Sequence, residues 1–87
     1  MKIKRRENLA WQKLGESTII IDTQINKQVH QLNEVGGFLW TLLESSQTQL
    51  QLCQILQDEY EVDELLARQD LSQFLKDLEL KSLIEIS

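Results

Sequence analysis

An α+β fold, with a three-stranded antiparallel sheet followed by three helices, is what this 87-residue sequence predicts. Three observations point there. Before residue 33, β-branched and aromatic residues gather in short runs broken by turn residues. After residue 33, apolar residues recur at helical spacing. The links between the early runs are too short for parallel crossovers, so those strands must pair antiparallel.

The first strand is expected over residues 9–14, where Leu9, Trp11 and Lys13 share one side. Gly15-Glu16-Ser17 reads as a tight turn. The run Thr18-Ile19-Ile20-Ile21-Asp22 opens with four β-branched residues, which suit a strand packed on at least one face. Residues 23–27, containing Asn26, read as the next turn, and Gln28-Val29-His30-Gln31-Leu32 as the third strand.

Asn33 is a good N-cap for a helix over residues 34–44, and Glu34 suits its macrodipole. Val35, Leu39, Leu42 and Leu43 give that helix an apolar face, broadened by Phe38 and Trp40. Gly36-Gly37 inside a helix costs about 1 kcal/mol per residue relative to Ala. Such a cost implies close backbone packing, here against the strands. After the break at Ser45-Ser46-Gln47, Thr48 caps a second helix over 49–60. Leu50, Cys53, Leu56 and Tyr60 keep helical register, so Cys53 reads as a buried small hydrophobe. Asp63 caps a third helix over 64–80, with Ala67, Leu71, Phe74, Leu75 and Leu78 on one stripe. Leu66, Asp70, Gln73 and Asp77 form a flank beside it. Lys81-Ser82 ends this helix, and residues 83–86 form a short extended tail that packs back. The three helices have helix-turn-helix proportions.

Composition narrows the chemistry. The length fits one domain over residues 1–87. A lone Cys53 excludes an internal disulfide, and with a lone His30 it cannot build a tetrahedral zinc site without heavy carboxylate help. No glycine-rich phosphate loop is present, so neither a metal nor a cofactor is expected, nor a complete enzyme active site. No apolar run approaches the ~18 residues of a membrane span, and no signal-peptide pattern opens the chain, so a cytoplasmic protein with no membrane partner is expected. Residues 1–30 carry six basic and three acidic side chains, a net of +3, while residues 31–87 carry three basic and eleven acidic, a net of −8. The acidic part would repel phosphate, which argues against a nucleic-acid partner. The basic N-terminal segment reads as a solvated tail, with docking on an acidic partner as the alternative.

The third strand is a candidate site. If it lies at a sheet edge, its backbone groups lack partners on one side, and residues 28–32 contain neither Pro nor a charge to protect them. Such an edge is a template for an added strand. Periodicity alone leaves open an edge too short to matter, or one covered by the third helix or a dimer mate. The flank of Leu66, Asp70, Gln73 and Asp77 is either a groove wall suited to a peptide with an apolar anchor and positive charge, or a solvated surface. His30 reads as a packing or surface residue, and Trp11 and Trp40 as core.

The ordered set of these blocks resembles the PqqD-like family, the precursor-peptide recognition elements of ribosomally made, modified peptides. The resemblance is carried by Trp11, by Ile19-Ile20-Ile21-Asp22, by Leu32-Asn33-Glu34-Val35-Gly36-Gly37-Phe38-Leu39-Trp40, by residues 50–60, and by Asp70-Leu71-Ser72-Gln73-Phe74-Leu75-Lys76-Asp77-Leu78 followed by Leu83-Ile84. Ser82 departs from the family, which often has Gly before the final aliphatic pair. The resemblance implies a winged helix-turn-helix-like fold and a non-catalytic adaptor. It implies that the leader segment of a precursor peptide adds as a strand to Gln28, Val29, His30, Gln31 and Leu32. The leader would lie in a groove walled by Leu66, Asp70, Gln73, Phe74 and Asp77. The implied enzyme partner is a radical S-adenosylmethionine protein or a lasso-type leader peptidase and cyclase; a homodimer stays open. The competing classes are a winged-helix DNA-binding regulator and a structural subunit that never contacts substrate. The regulator needs a basic recognition helix, but in residues 64–80 acidic side chains outnumber Arg68 and Lys76.

Overall fold

The computed structural model describes residues 1–24 and 27–87. The elements run β1 (Ile3–Arg5), β2 (Ala10–Leu14), β3 (Ser17–Asp22), β4 (Gln28–Leu32), α1 (Glu34–Leu42), α2 (Gln49–Tyr60), α3 (Glu64–Leu80) and β5 (Ile84–Ile86). The expected three-strand sheet is β2-β3-β4, antiparallel throughout. The turn expected around Asn26 falls partly outside the described residues.

The β2–β3 hairpin fixes the geometry of everything after it. Leu14 pairs with Ser17, so the loop is only Gly15-Glu16. Gly15 has φ +61° and Glu16 is not among the positive-φ residues, which identifies a type II′ turn. A two-residue loop requires its closing pair to exchange both main-chain hydrogen bonds. Ser17, Ile19 and Ile21 therefore aim their N–H and C=O groups at β2, and Thr18, Ile20 and Asp22 aim theirs at β4. In the β3–β4 register these three face Leu32, His30 and Gln28. Val29 and Gln31 are left with outward main-chain groups.

The helices start where the sequence predicts. Asn33 Oδ1 accepts from the Gly36 N–H at 2.8 Å, Thr48 and Gln51 form a reciprocal capping box, and Asp63 Oδ1 accepts from the Leu66 N–H at 2.8 Å. The core joins Ile20 of the sheet to Leu39, Trp40, Leu52, Leu56, Leu71 and Leu78 of the helices. Cys53 is buried among them as a free thiol. The two glycines sit at close contacts. A Cβ at Gly37 would overlap Thr18 Oγ1 and lie 3.2 Å from Thr18 Cβ, so α1 meets β3 there.

Two expectations need correcting. The basic N-terminal segment is not a solvated tail. It forms β1, which pairs with β5 across the whole chain, Ile3 opposite Ile86 and Arg5 opposite Ile84. Ile3 also exchanges two main-chain hydrogen bonds with Gln47, at 2.7 and 2.9 Å. One of its cations is neutralised within the fold: Arg6 Nη2 lies 2.8 Å from the fully buried carboxylate of Asp22, and Arg6 Nε donates to Ser82 O at 2.7 Å. The tail at 83–86 does pack back, as β5. The second correction is Trp11, which is 39% exposed rather than core, and lies against Arg5 on the rim of β2.

Ser82 shows how the chain closes without the expected glycine. It adopts φ +59°, the left-handed region that favours Gly. Its N–H donates to Glu79 O at 3.0 Å and the Leu83 N–H donates to Leu78 O at 2.9 Å, which together form a Schellman cap on α3. The turn is thus kept, with a Cβ penalty of about 1 kcal/mol. Ser82→Gly should raise stability by about 0.5–1 kcal/mol in a urea melt; a destabilised variant would contradict this account of the cap.

Candidate functional site

Gln28, Val29, His30, Gln31 and Leu32 do form a sheet edge. Among the described residues, no strand pairs with the outer side of β4. The alternation of the strand divides these residues. Val29 is 66% exposed on the outer sheet face, and Gln31 beside it donates from Nε2 to Ser17 Oγ at 3.1 Å. His30 turns the other way, opposite Ile20, and is only 7% exposed, with no hydrogen-bond partner at Nε2. The side chain of His30 thus supports the sheet from beneath rather than decorating its surface.

A recess of about 490 Å³ opens where β4 runs into α1. Asn33, Val35, Gly36 and Leu39 line one side, Leu56, Tyr60 and Val62 a second, and Asp70, Leu71 and Phe74 of α3 the third. Gly36 is the point of convergence: a Cβ there would lie 3.1 Å from Phe74 Cε1 and 3.3 Å from Leu32 Cβ. The absent side chain keeps the end of β4 joined to the recess. The lining is mostly apolar, with Asp70 as the one carboxylate among the residues that form it. This combination fits an apolar anchor flanked by a polar or cationic group. The Tyr60 ring packs edge to face with Phe38, centroids 5.6 Å apart at 82°. Burial, and then the carboxylates of Glu34 and Glu59, hold its phenol above the usual tyrosine range. The stability linked to this group is complete below the ordinary tyrosine pKa and is lost as pH rises through the raised folded value.

The structure therefore brings Leu32, Asp70 and Phe74 to one place. The other flank residues are less central. Leu66 is half-exposed near the start of α3. Gln73 Nε2 donates to Asp77 Oδ1 at 3.0 Å on the exposed surface, and Gln73 also borders a shallow depression with Arg68 and Lys76. Of the lining residues, sequence reasoning placed only Asp70 and Phe74 at the site; Val35, Tyr60 and Val62 are among those it missed. Their signal was faint: two apolar residues, Tyr60 and Val62, straddle a helix break. Glu61 makes that break with φ +52°, which folds Val62 back toward α3.

No helix among the described residues is long and apolar enough to cross a membrane, and no cluster of metal-ligating side chains occurs among them. No curated protein matches the sequence. Two solved structures are similar in fold. TbiB1, in complex with the TbiA(beta) leader peptide, has a TM-score of 0.86 and 25% identity, covering 97% of this chain and 96% of that one. A lasso peptide synthetase B1, also complexed with the leader peptide, has a TM-score of 0.83 and 17% identity, covering 99% of this chain and 100% of that one. The model of the family described as coenzyme PQQ synthesis protein D matches residues 13–84, which hold the end of β2, β3, β4 and all three helices, and this chain belongs to the PqqD family.

Proposed function

We propose that this chain binds the leader segment of a ribosomally made precursor peptide by strand addition to β4 and holds it for a modifying enzyme. The observation that carries the reading is the open edge of β4, which offers the main-chain groups of Val29 and Gln31 and ends at an apolar recess. Main-chain hydrogen bonds along the edge supply affinity that tolerates sequence variation, and the recess selects for an apolar side chain. Leu32, Asp70 and Phe74 are the contacts nearest that anchor, while Gln28, Leu66, Gln73 and Asp77 line the approach to it. His30 acts indirectly, through the strand it supports. A similar protein at 25% identity has been solved with a leader peptide bound, which supports this reading.

The role is that of a cytoplasmic adaptor without catalysis of its own, folded as one domain over residues 1–87. The enzyme partner is a lasso-type leader peptidase and cyclase or a radical S-adenosylmethionine protein. Amide hydrogen exchange tests the strand geometry without any mutation. In the free protein the amides of Gln28, His30 and Leu32 should be protected and those of Val29 and Gln31 should exchange fast. Addition of the cognate leader should slow Val29 and Gln31 selectively. Saturating leader that leaves both amides fast would exclude strand addition at this edge.

A further inference from the structure

The hairpin end of the sheet carries a recess of its own. It holds about 270 Å³ between the β2–β3 turn, α1 and the end of α2. Glu16 comes from the turn, Glu34 and Phe38 from α1, and Glu59 and Tyr60 from α2. The three glutamates are exposed, and none of their carboxylates has an ion pair or a hydrogen bond among the described residues. Lys13 is the one cation of the lining, so two of the three negative charges stay uncompensated. Like charges gathered round one recess repel one another and focus a negative potential into it. After burial, Glu34 and Glu59 are what hold the Tyr60 phenol above its ordinary range, which sets both carboxylates near that ring.

The floor points to a ligand independently of those charges. Thr18 is 2% exposed, and its hydroxyl has no hydrogen-bond partner among the described residues. Thr18 Oγ1 stands against the bare α-carbon of Gly37, and both residues line the recess. A buried hydroxyl left unpaired is costly, and a donor entering the recess would satisfy it. The volume lies just under the usual small-molecule range and suits the head of one long side chain. Phe38 and Tyr60 add aromatic surface, which attracts cations. Tyr60 also lines the recess at the end of β4, so one ring is a wall of both.

We propose that this recess takes a Lys or Arg side chain of the leader, from the stretch that runs past the apolar anchor and round Tyr60. Glu34 and Glu59 pair with the cation, Glu16 adds attraction from the turn, and the Thr18 hydroxyl accepts a hydrogen bond at the floor. The inference rests on the leader reading and adds a charge requirement to it, separate from Asp70.

Small cations test the site on the intact protein. n-Butylammonium and methylguanidinium are titrated at constant ionic strength, with butan-1-ol as the neutral control. The Thr18 and Gly37 amide resonances should move and saturate with both cations but not with the alcohol. Glu34→Gln and Glu59→Gln should each weaken the response about three- to tenfold, and Glu79→Gln, on α3, should leave it unchanged. Saturating cognate leader should displace butylammonium, read on the amine's own resonances. When the basic residues of the leader are changed to Gln in turn, one change should cost about tenfold in affinity for the parent protein and nothing for the Glu34→Gln, Glu59→Gln double variant. No saturable response to either cation would overturn the proposal, as would a response confined to Lys13→Met, which would make Lys13 the internal partner. Cations that bind and stay in place under saturating leader would assign the recess to another partner and overturn it too. A leader that fails to bind at all, with the cation response intact, would strike strand addition at β4 and the leader as occupant together, leaving the cation site itself standing.

Discussion

Val29→Pro and Gln31→Pro should each weaken leader binding by about tenfold to a hundredfold, and the double variant should show no measurable binding by isothermal titration. Each proline removes one outward N–H and leaves a leader carbonyl unpaired, a cost of about 1–3 kcal/mol. Every 1.4 kcal/mol is about a factor of ten. The fold should survive, because these two N–H groups take no part in the ladder with β3. His30→Pro is the contrasting case. It deletes a bond to Ile20 inside the sheet, so it should lower the melting temperature whether or not a leader is present. Retention of wild-type affinity in a folded Val29→Pro variant would remove β4 as the site of strand addition.

Arg6→Met should be the most damaging single change for stability. Asp22 is fully buried, and its partners include Arg6 Nη2 at 2.8 Å and the Gln24 N–H at 3.1 Å. Without the guanidinium the buried carboxylate loses this ion pair, and breaking a buried pair by removing one partner typically costs about 3–5 kcal/mol. Small domains are stable by only about 5–15 kcal/mol in total. A shift of at least about 12 °C in melting temperature follows for a chain of this size. Adding Asp22→Leu to Arg6→Met should recover much of the loss, since it removes the buried carboxylate whose ion pair with Arg6 is gone. A single Arg6→Met variant that melts within about 4 °C of the parent, the shift expected for only ~1 kcal/mol, would show that the pair carries little.

The helices were legible because each carries its own signals. Asn33, Thr48 and Asp63 are caps at the positions where the helices begin, and α2 and α3 run over the residues that apolar spacing predicts. The strand at residues 28–32 was equally plain. The short strands were not. Ile3-Lys4-Arg5 is a strand only because residues 84–86 and Gln47 supply its partners, and no local pattern announces a pairing across the chain. Its charge misled for the same reason: Arg5 and Arg6 are neutralised or stacked by residues far away in sequence. Within the site, Phe74 and Asp70 followed from helical periodicity, whereas Val35, Tyr60 and Val62 depend on how α1 and α2 are set against α3. The inward turn of His30 depends on register, which a run such as Val29-His30-Gln31 does not declare by itself.

The two-residue turn at Gly15-Glu16 reaches further than its size implies. Its closing pair sets a phase, and that phase is inherited strand by strand until it decides which amides of β4 look outward. A loop with no contact to any peptide thereby writes the spacing of the teeth that a peptide must mesh with. Lengthening it by one residue would leave the composition of the edge untouched and yet threaten to put β3 out of step with β2, so that the hairpin and the docking edge could no longer both keep their alignment.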